Sequence, residues 1–167
     1  EAVAADVQRV LLSPATRDVV RKKAALTLLR LYRIDETVID LEESAGPLIG
    51  LLEQKNIGVR IAVVSLLLNM VSSSTQYLED CVPRCIMCLT QLVIHKACPS
   101  DYLYYNTACP WLQVKLLRML QYFPLPTDST LVGRLNEVLE RILTRTEVTK
   151  SVNKNNSDHS ILFEAIN

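Results

Sequence analysis

The chain is short of the residues that build sheets and tight turns. It has 4 glycines, 2 phenylalanines and 1 tryptophan in 167 residues, and aromatics make up only 5%. With leucine abundant, that scarcity argues for an all-helical chain and against a sandwich or barrel. There is no excess of charge: 18 Lys and Arg face 18 Asp and Glu. A neutral chain has no general electrostatic pull on nucleic acid or on an acidic membrane. No secretory signal opens it. The longest apolar run, Val63-Val64-Ser65-Leu66-Leu67-Leu68, is far below the roughly 20 residues that span a bilayer. The 5 cysteines are odd in number and form no small loop-rich frame, which suits free thiols in a reducing compartment. What is present is a 49% apolar, 22% charged composition, enough to bury a core. The stretch Ala2 to Leu12 reads as the tail of a helix, and Ile161 to Asn167 as one just starting. The expectation is therefore a piece, residues 1–167, of a longer chain.

An internal repeat organises the middle. The segment Val20 to Leu31 slides onto Val59 to Met70 with an offset of 39, matching apolar residues at 20/59, 24/63, 25/64, 28/67, 29/68 and 31/70. That spacing is one helical stripe repeated, and about 40 residues is the length of a helix-pair repeat such as HEAT. A looser copy at Trp111 to Leu120 fits the stripe at offset 53, or the Val114-Lys115 pair at offset 55. The extra residues match the stretch 97–109, where Pro99, Asp101 and tyrosines indicate a loop.

The pattern predicts helices over 17–33 with Thr16 as N-cap, 47–54 opening at Pro47, 59–72, 75–81, 83–96, 110–123 and 128–146. A break is expected at Pro83. Residues 147–160 are polar and Asn-rich and read as a loop, and no strand pattern competes anywhere. The fold class is all-α: a right-handed α-solenoid of HEAT/armadillo-like helical pairs.

Chemistry-bearing constellations are sparse. Cys81, Cys85 and Cys88 lie on one helical face beside Ile86 and Leu89, with only His95 near. Zinc needs four ligands from knuckle-type spacing, so these thiols read as small core residues rather than a metal site. A chain with 2 histidines, no nucleophile elbow and no glycine-rich loop offers no catalytic residue, no cofactor site and no small-molecule substrate. Two patches remain. Arg21, Lys22 and Lys23, with Arg17, Arg30 and Arg33, form a dense basic cluster. It is a candidate partner or lipid contact, against the plainer reading of a solvated helix face whose buried side is 20, 24, 28 and 31. Tyr102, Tyr104, Tyr105 and Trp111 gather four of the nine aromatics in one place. They can anchor a partner or fold back to seal neighbouring repeats.

Two long motifs carry a resemblance. Val20-Arg21-Lys22-Lys23-Ala24-Ala25-Leu26-Thr27-Leu28-Leu29-Arg30-Leu31-Tyr32-Arg33 and Pro110-Trp111-Leu112-Gln113-Val114-Lys115-Leu116-Leu117-Arg118-Met119-Leu120-Gln121-Tyr122-Phe123-Pro124 resemble the adaptin large-subunit trunk. Tyr104-Tyr105, Gly133-Arg134-Leu135 and Leu162-Phe163-Glu164-Ala165-Ile166 are similar to its alpha-adaptin branch, the large subunits of the plasma-membrane clathrin adaptor. The resemblance implies a curved helical solenoid without enzymatic activity. It implies a scaffold in clathrin-mediated endocytosis and vesicle-mediated protein transport, cytoplasmic and peripheral at plasma-membrane coated pits. The implied partners are the second large, medium and small adaptins. Clathrin and phosphoinositide membrane would be reached through other parts of the complex. The family's basic lipid-binding residues lie near the subunit's N-terminus and match no motif here, so none is carried over. The alternative is a peptide-binding HEAT/armadillo scaffold or transport receptor unrelated to coats.

Overall fold

The computed structural model describes residues 2–167 and divides into a unit ending at Cys81 and a second, Val82–Asn167. Both are built almost wholly of helix. No helix among the described residues is long and apolar enough to cross a membrane.

The first unit holds α1 (Ala2–Leu12), α2 (Asp18–Ile34), α3 (Leu41–Gly50) and α4 (Ile57–Val71), with short 3-10 turns at Glu36–Val38 and Leu51–Glu53. The start of α2 and the start of α4 are 39 residues apart, as the repeat requires. Arg21 near the start of α2 donates to Gln54 Oε1 just ahead of α4 (3.0 Å), and Arg33 near its end donates to Asn69 Oδ1 near the end of α4 (2.8 Å). The two helices therefore run side by side in the same direction. On the other layer, Gln8 of α1 donates to Ser44 Oγ of α3 at 2.8 Å. That is the arrangement of stacked helical pairs, in which each pair buries its apolar face on the next. Helix α4 is the core of this unit: Val59, Val63, Val64, Leu66, Leu67 and Met70 are fully buried, and a helix apolar on nearly all sides is a buried one.

Several boundaries differ from the sequence reading. Arg17, not Thr16, is the N-cap of α2, and its side chain makes no cap bond. The buried stripe of α2 is 21, 24, 25, 28, 29 and 32; Val20 is 44% exposed. Helix α3 starts at Leu41, well before Pro47, because Asp40 accepts from the backbone N–H of Glu42 and Glu43 and those two acids favour a helix N-terminus. Pro47 sits inside that helix.

The second unit runs from α5, whose range is Cys81–Leu89, through one π-helical turn at Thr90–Ile94. The expected break at Pro83 is absent, since Pro83 lies in the first turn of α5, where its missing N–H has no intrahelical partner to lose. A 3-10 turn at Ser100–Tyr102 and a small hairpin, β1 (Leu103–Tyr104) and β2 (Thr107–Ala108), occupy the stretch read as a plain loop. The strandless reading is corrected there. Tyr105 and Asn106 both adopt left-handed φ (47° and 66°), which a two-residue hairpin turn matching strand twist requires. Then come α6 (Pro110–Leu120), α7 (Ser129–Arg145, capped by Asp128) and α8 (Val152–Ile166). The start of α6 fixes the third copy at offset 53 from α4.

The polar stretch 147–160 is not a loop: most of it belongs to α8. Ser151 caps that helix by accepting from Lys154 N. Asn155 Oδ1 accepts from both the backbone N–H and the hydroxyl of Thr149, and Lys154 pairs with Asp158 at 2.5 Å. A polar helix of this kind is held by side-chain pairs and by the partner it packs on, here α6.

Candidate functional site

The aromatic cluster predicted from sequence is assembled by the hairpin. Leu103 pairs with Ala108 and Tyr104 with Thr107, and Cys109 N donates to Tyr102 O at 2.9 Å, closing the loop. Cys109, itself left-handed at φ 40°, caps α6, whose first residue is Pro110, a favoured place for proline. Gln113, buried in α6, donates to Ala108 O at 2.6 Å and pins the hairpin from below. From α8, Asp158 Oδ1 accepts from the Thr107 hydroxyl at 2.7 Å, and Asn153 donates to the Tyr105 hydroxyl at 2.8 Å.

This clamp places Tyr104 edge-on to Tyr105, with ring centroids 4.8 Å apart, and to Trp111, 6.0 Å apart. Such edge contacts add about 0.5–1.5 kcal/mol each beyond area burial. Yet the rings are not sealed: Tyr105 is 48% and Trp111 40% exposed. Tyr102 is half-buried and stands outside these ring contacts. The hairpin docks on α8 while the rings of Tyr104, Tyr105 and Trp111 stay exposed.

Beside Trp111 runs an open cleft of about 430 Å³ between α6 and α8, walled by Tyr104, Trp111 and Val114 and edged by Arg118, Ser157 and Ser160. Arg118 forks onto Glu164, with Nη2 to Oε2 at 2.6 Å and Nε to Oε1 at 3.2 Å. That hydrogen bonding from Arg118, aided by Gln121, holds the Glu164 carboxyl below its usual range and raises Arg118. The Ser157 hydroxyl is buried and has no partner among the described residues.

The basic cluster is divided by the structure. Lys22 and Lys23 are exposed, but Arg21 is 6% exposed. Arg21 donates to Ser13 O at 2.7 Å and to Gln54, with Asp18 at 3.8 Å. It is a strut between repeats and is not presented outward. Sequence reasoning put it on the outer face because an arginine in an amphipathic pattern reads as solvated; its long stem lets it lie inside. Cys81, Cys85 and Cys88 are buried among apolar side chains, and no group of three or more metal-ligating side chains occurs among the described residues. Burial pushes the Cys109 thiol up to about 11 and raises that of Cys98.

Comparison with known proteins places these features in a family. Residues 1–167 match the adaptin N terminal region. AP-2 complex subunit alpha-1 of Arabidopsis thaliana is 43% identical over 166 residues, covering 99% of this chain and 16% of that protein. AP-2 complex subunit alpha-2 of Dictyostelium discoideum is 36% identical over 163 residues (96% and 16%), and AP-2 complex subunit alpha of Schizosaccharomyces pombe 34% over 166 (99% and 19%). The chain spans less than a fifth of the length of these relatives. The match of the whole chain, carried by helices whose pairing is that of a helical repeat, means that it belongs to the adaptin N-terminal region family.

Proposed function

We propose that this chain is a scaffold segment of a clathrin adaptor large subunit of the alpha type. It acts in clathrin-mediated endocytosis and vesicle-mediated protein transport by holding other proteins rather than by catalysis. The observation that carries the proposal is the identity of 43% over nearly the whole chain to an AP-2 alpha subunit. In this reading its partners are the second large, medium and small adaptins. The clathrin coat and the phosphoinositide membrane are engaged through other parts of the complex. The protein works on the cytoplasmic face of coated pits. The surface assigned to a protein partner is the ring cluster of Tyr104, Tyr105 and Trp111, with half-exposed rings on a rigid, hydrogen-bonded hairpin. Rigid aromatics lose little entropy on binding, and such residues dominate interface energetics. Lys22 and Lys23 are a secondary, electrostatic contact.

Affinity purification of the full-length protein from cell extract tests this. Recovery of the other adaptin subunits is expected, and recovery of none of them refutes the assignment. Trp111→Ala in the same experiment should weaken co-recovery by roughly 30-fold in Kd if this ring is a hot spot. Unchanged recovery would remove the ring cluster from the interface while leaving the family role intact.

A further inference from the structure

A second cleft, of about 180 Å³, lies on the other side of the hairpin, among the π turn, α7 and α8. Its charge is one-sided. Lys96, Arg141, Arg145 and Lys154 line it, and among the described residues Asp158 is the only carboxylate that does. Asp158 is already committed: Lys154 Nζ is 2.5 Å from Oδ2 and the Thr107 hydroxyl 2.7 Å from Oδ1. Lys96, Arg141 and Arg145 make no ion pair among the described residues. The pairing of Arg141 with Glu137, four residues earlier, that a surface helix invites is not formed.

Three cations without counter-charge in one concavity are not what folding alone selects. Arg141 and Arg145 stand four apart on one helix, where like charges repel by about 0.2–0.5 kcal/mol. Lys96 holds a left-handed φ of 51°, a conformation that costs a side-chain-bearing residue free energy. Arg145 does gain from its place at the last turn of α7, next to the helix carbonyl end. Arg141, more than a turn earlier, gains little. A concave site lined by one sign of charge concentrates the opposite ion, and guanidinium forks match phosphate oxygens.

We propose that this cleft is a binding site for a compact phosphate-bearing anion, held by Arg141 and Arg145 with Lys96 closing its rim. The proposal rests on the cleft alone and is independent of the adaptor assignment. The volume suits one phosphate or diphosphate group, carried by a soluble molecule or presented by a lipid headgroup.

Calorimetric titration of the full chain with inorganic pyrophosphate, and co-sedimentation with phosphatidylcholine vesicles with and without phosphatidylinositol 4-phosphate, test it. Arg141→Gln and Arg145→Gln together should weaken binding about a hundredfold, since each charge-assisted contact contributes about a factor of ten. Lys96→Gln, at an exposed position that tolerates change, should weaken it several-fold. Arg9→Gln with Lys55→Gln removes equal charge at exposed positions of the first unit and should leave binding unchanged. Pyrophosphate binding that is lost with the arginines assigns a soluble phosphate. A loss confined to the vesicles assigns a lipid-borne one. Absence of binding in both assays, or an equal loss in the Arg9 and Lys55 control, overturns the site.

Discussion

Arg21 is the residue whose removal tests the structure most directly. It is buried at 6% exposure, and two of its three nitrogens are used: Nη2 donates to Ser13 O (2.7 Å) and Nη1 to Gln54 Oε1 (3.0 Å). Nε is buried without a partner among the described residues, and the carboxylate of Asp18, at 3.8 Å, is half exposed. Hydrogen bonds from a charged group contribute about 1.5–3 kcal/mol each, but part of that offsets the desolvated charge and the unpaired Nε. Arg21→Ala should therefore destabilise the first unit by about 3 kcal/mol, from two lost bonds and an unfilled space. For a chain of this length that is a fall in melting temperature of roughly 6–12 °C. Arg21→Met keeps the packing of the stem, removes the buried charge and relieves Nε, so about half the loss should return. Urea unfolding gives the free energies, and hydrogen exchange at the amides of α2 and α4 assigns them to this unit. If Arg21→Ala lies within about 0.5 kcal/mol of wild type, as an exposed substitution would, Arg21 is a solvated residue and the strut does not exist.

Two further predictions follow from the second unit. Glu164 has a lowered pKa because Arg118 bonds its charged form, so the α6–α8 link should be fully present above the ordinary value of 4.5 and lost as pH falls below it through the folded value. Glu164→Gln should cost about 1 kcal/mol at pH 7, a discounted figure because Arg118 is half in solvent, and the difference should shrink as pH falls below 4.5 through the lowered folded value; a difference constant with pH would refute the linkage. Cys109, at about 11 against an ordinary 9.0, should alkylate at pH 8 roughly a hundredfold more slowly than an exposed thiol, with half-buried Cys98 labelled first; mass spectrometry showing Cys109 labelled early in folded protein would contradict its burial.

The features that were legible in the sequence are those where one local signal decides. The apolar period of α7 and the 39-residue repeat of α2 and α4 gave helices in place, because a stripe that must face a core leaves a readable period. What escaped was settled by polar contacts distant in sequence or by competition between signals. Helix α8 has little apolar periodicity and several asparagines; it is helical because Ser151 caps it, Thr149 and Asp158 hold the Asn155 and Lys154 side chains, and α6 covers it. At α3 the proline drew the expected start forward, while the Asp40 cap with two following acids set the true one. The hairpin had a signal, Asn106 between β-forming neighbours, but it is too short to leave a period. Of the candidate site residues, the structure brings Tyr104, Tyr105 and Trp111 together and turns Arg21 inward.

The two clefts share a cause. A helical-repeat unit buries its apolar stripes on neighbouring helices, so a regular repeat such as α2 to α4 has its polar contacts taken up in joining one pair to the next. The second unit departs from that regularity at the π turn and the hairpin, where the spacing lengthens from 39 to 53. The added residues cannot continue the stripe, and they instead pin themselves to α6 through Gln113 and to α8 through Thr107 and Tyr105. The hairpin then stands as a wall with a face on each side: aromatic toward Trp111, cationic toward Arg141 and Arg145. Deleting the hairpin should for that reason abolish both binding behaviours at once, while Trp111→Ala and Arg141→Gln with Arg145→Gln should each remove only one. A Trp111 variant that loses pyrophosphate binding, or an arginine variant that loses partner recovery with its fold intact, would show that the two faces are a single site.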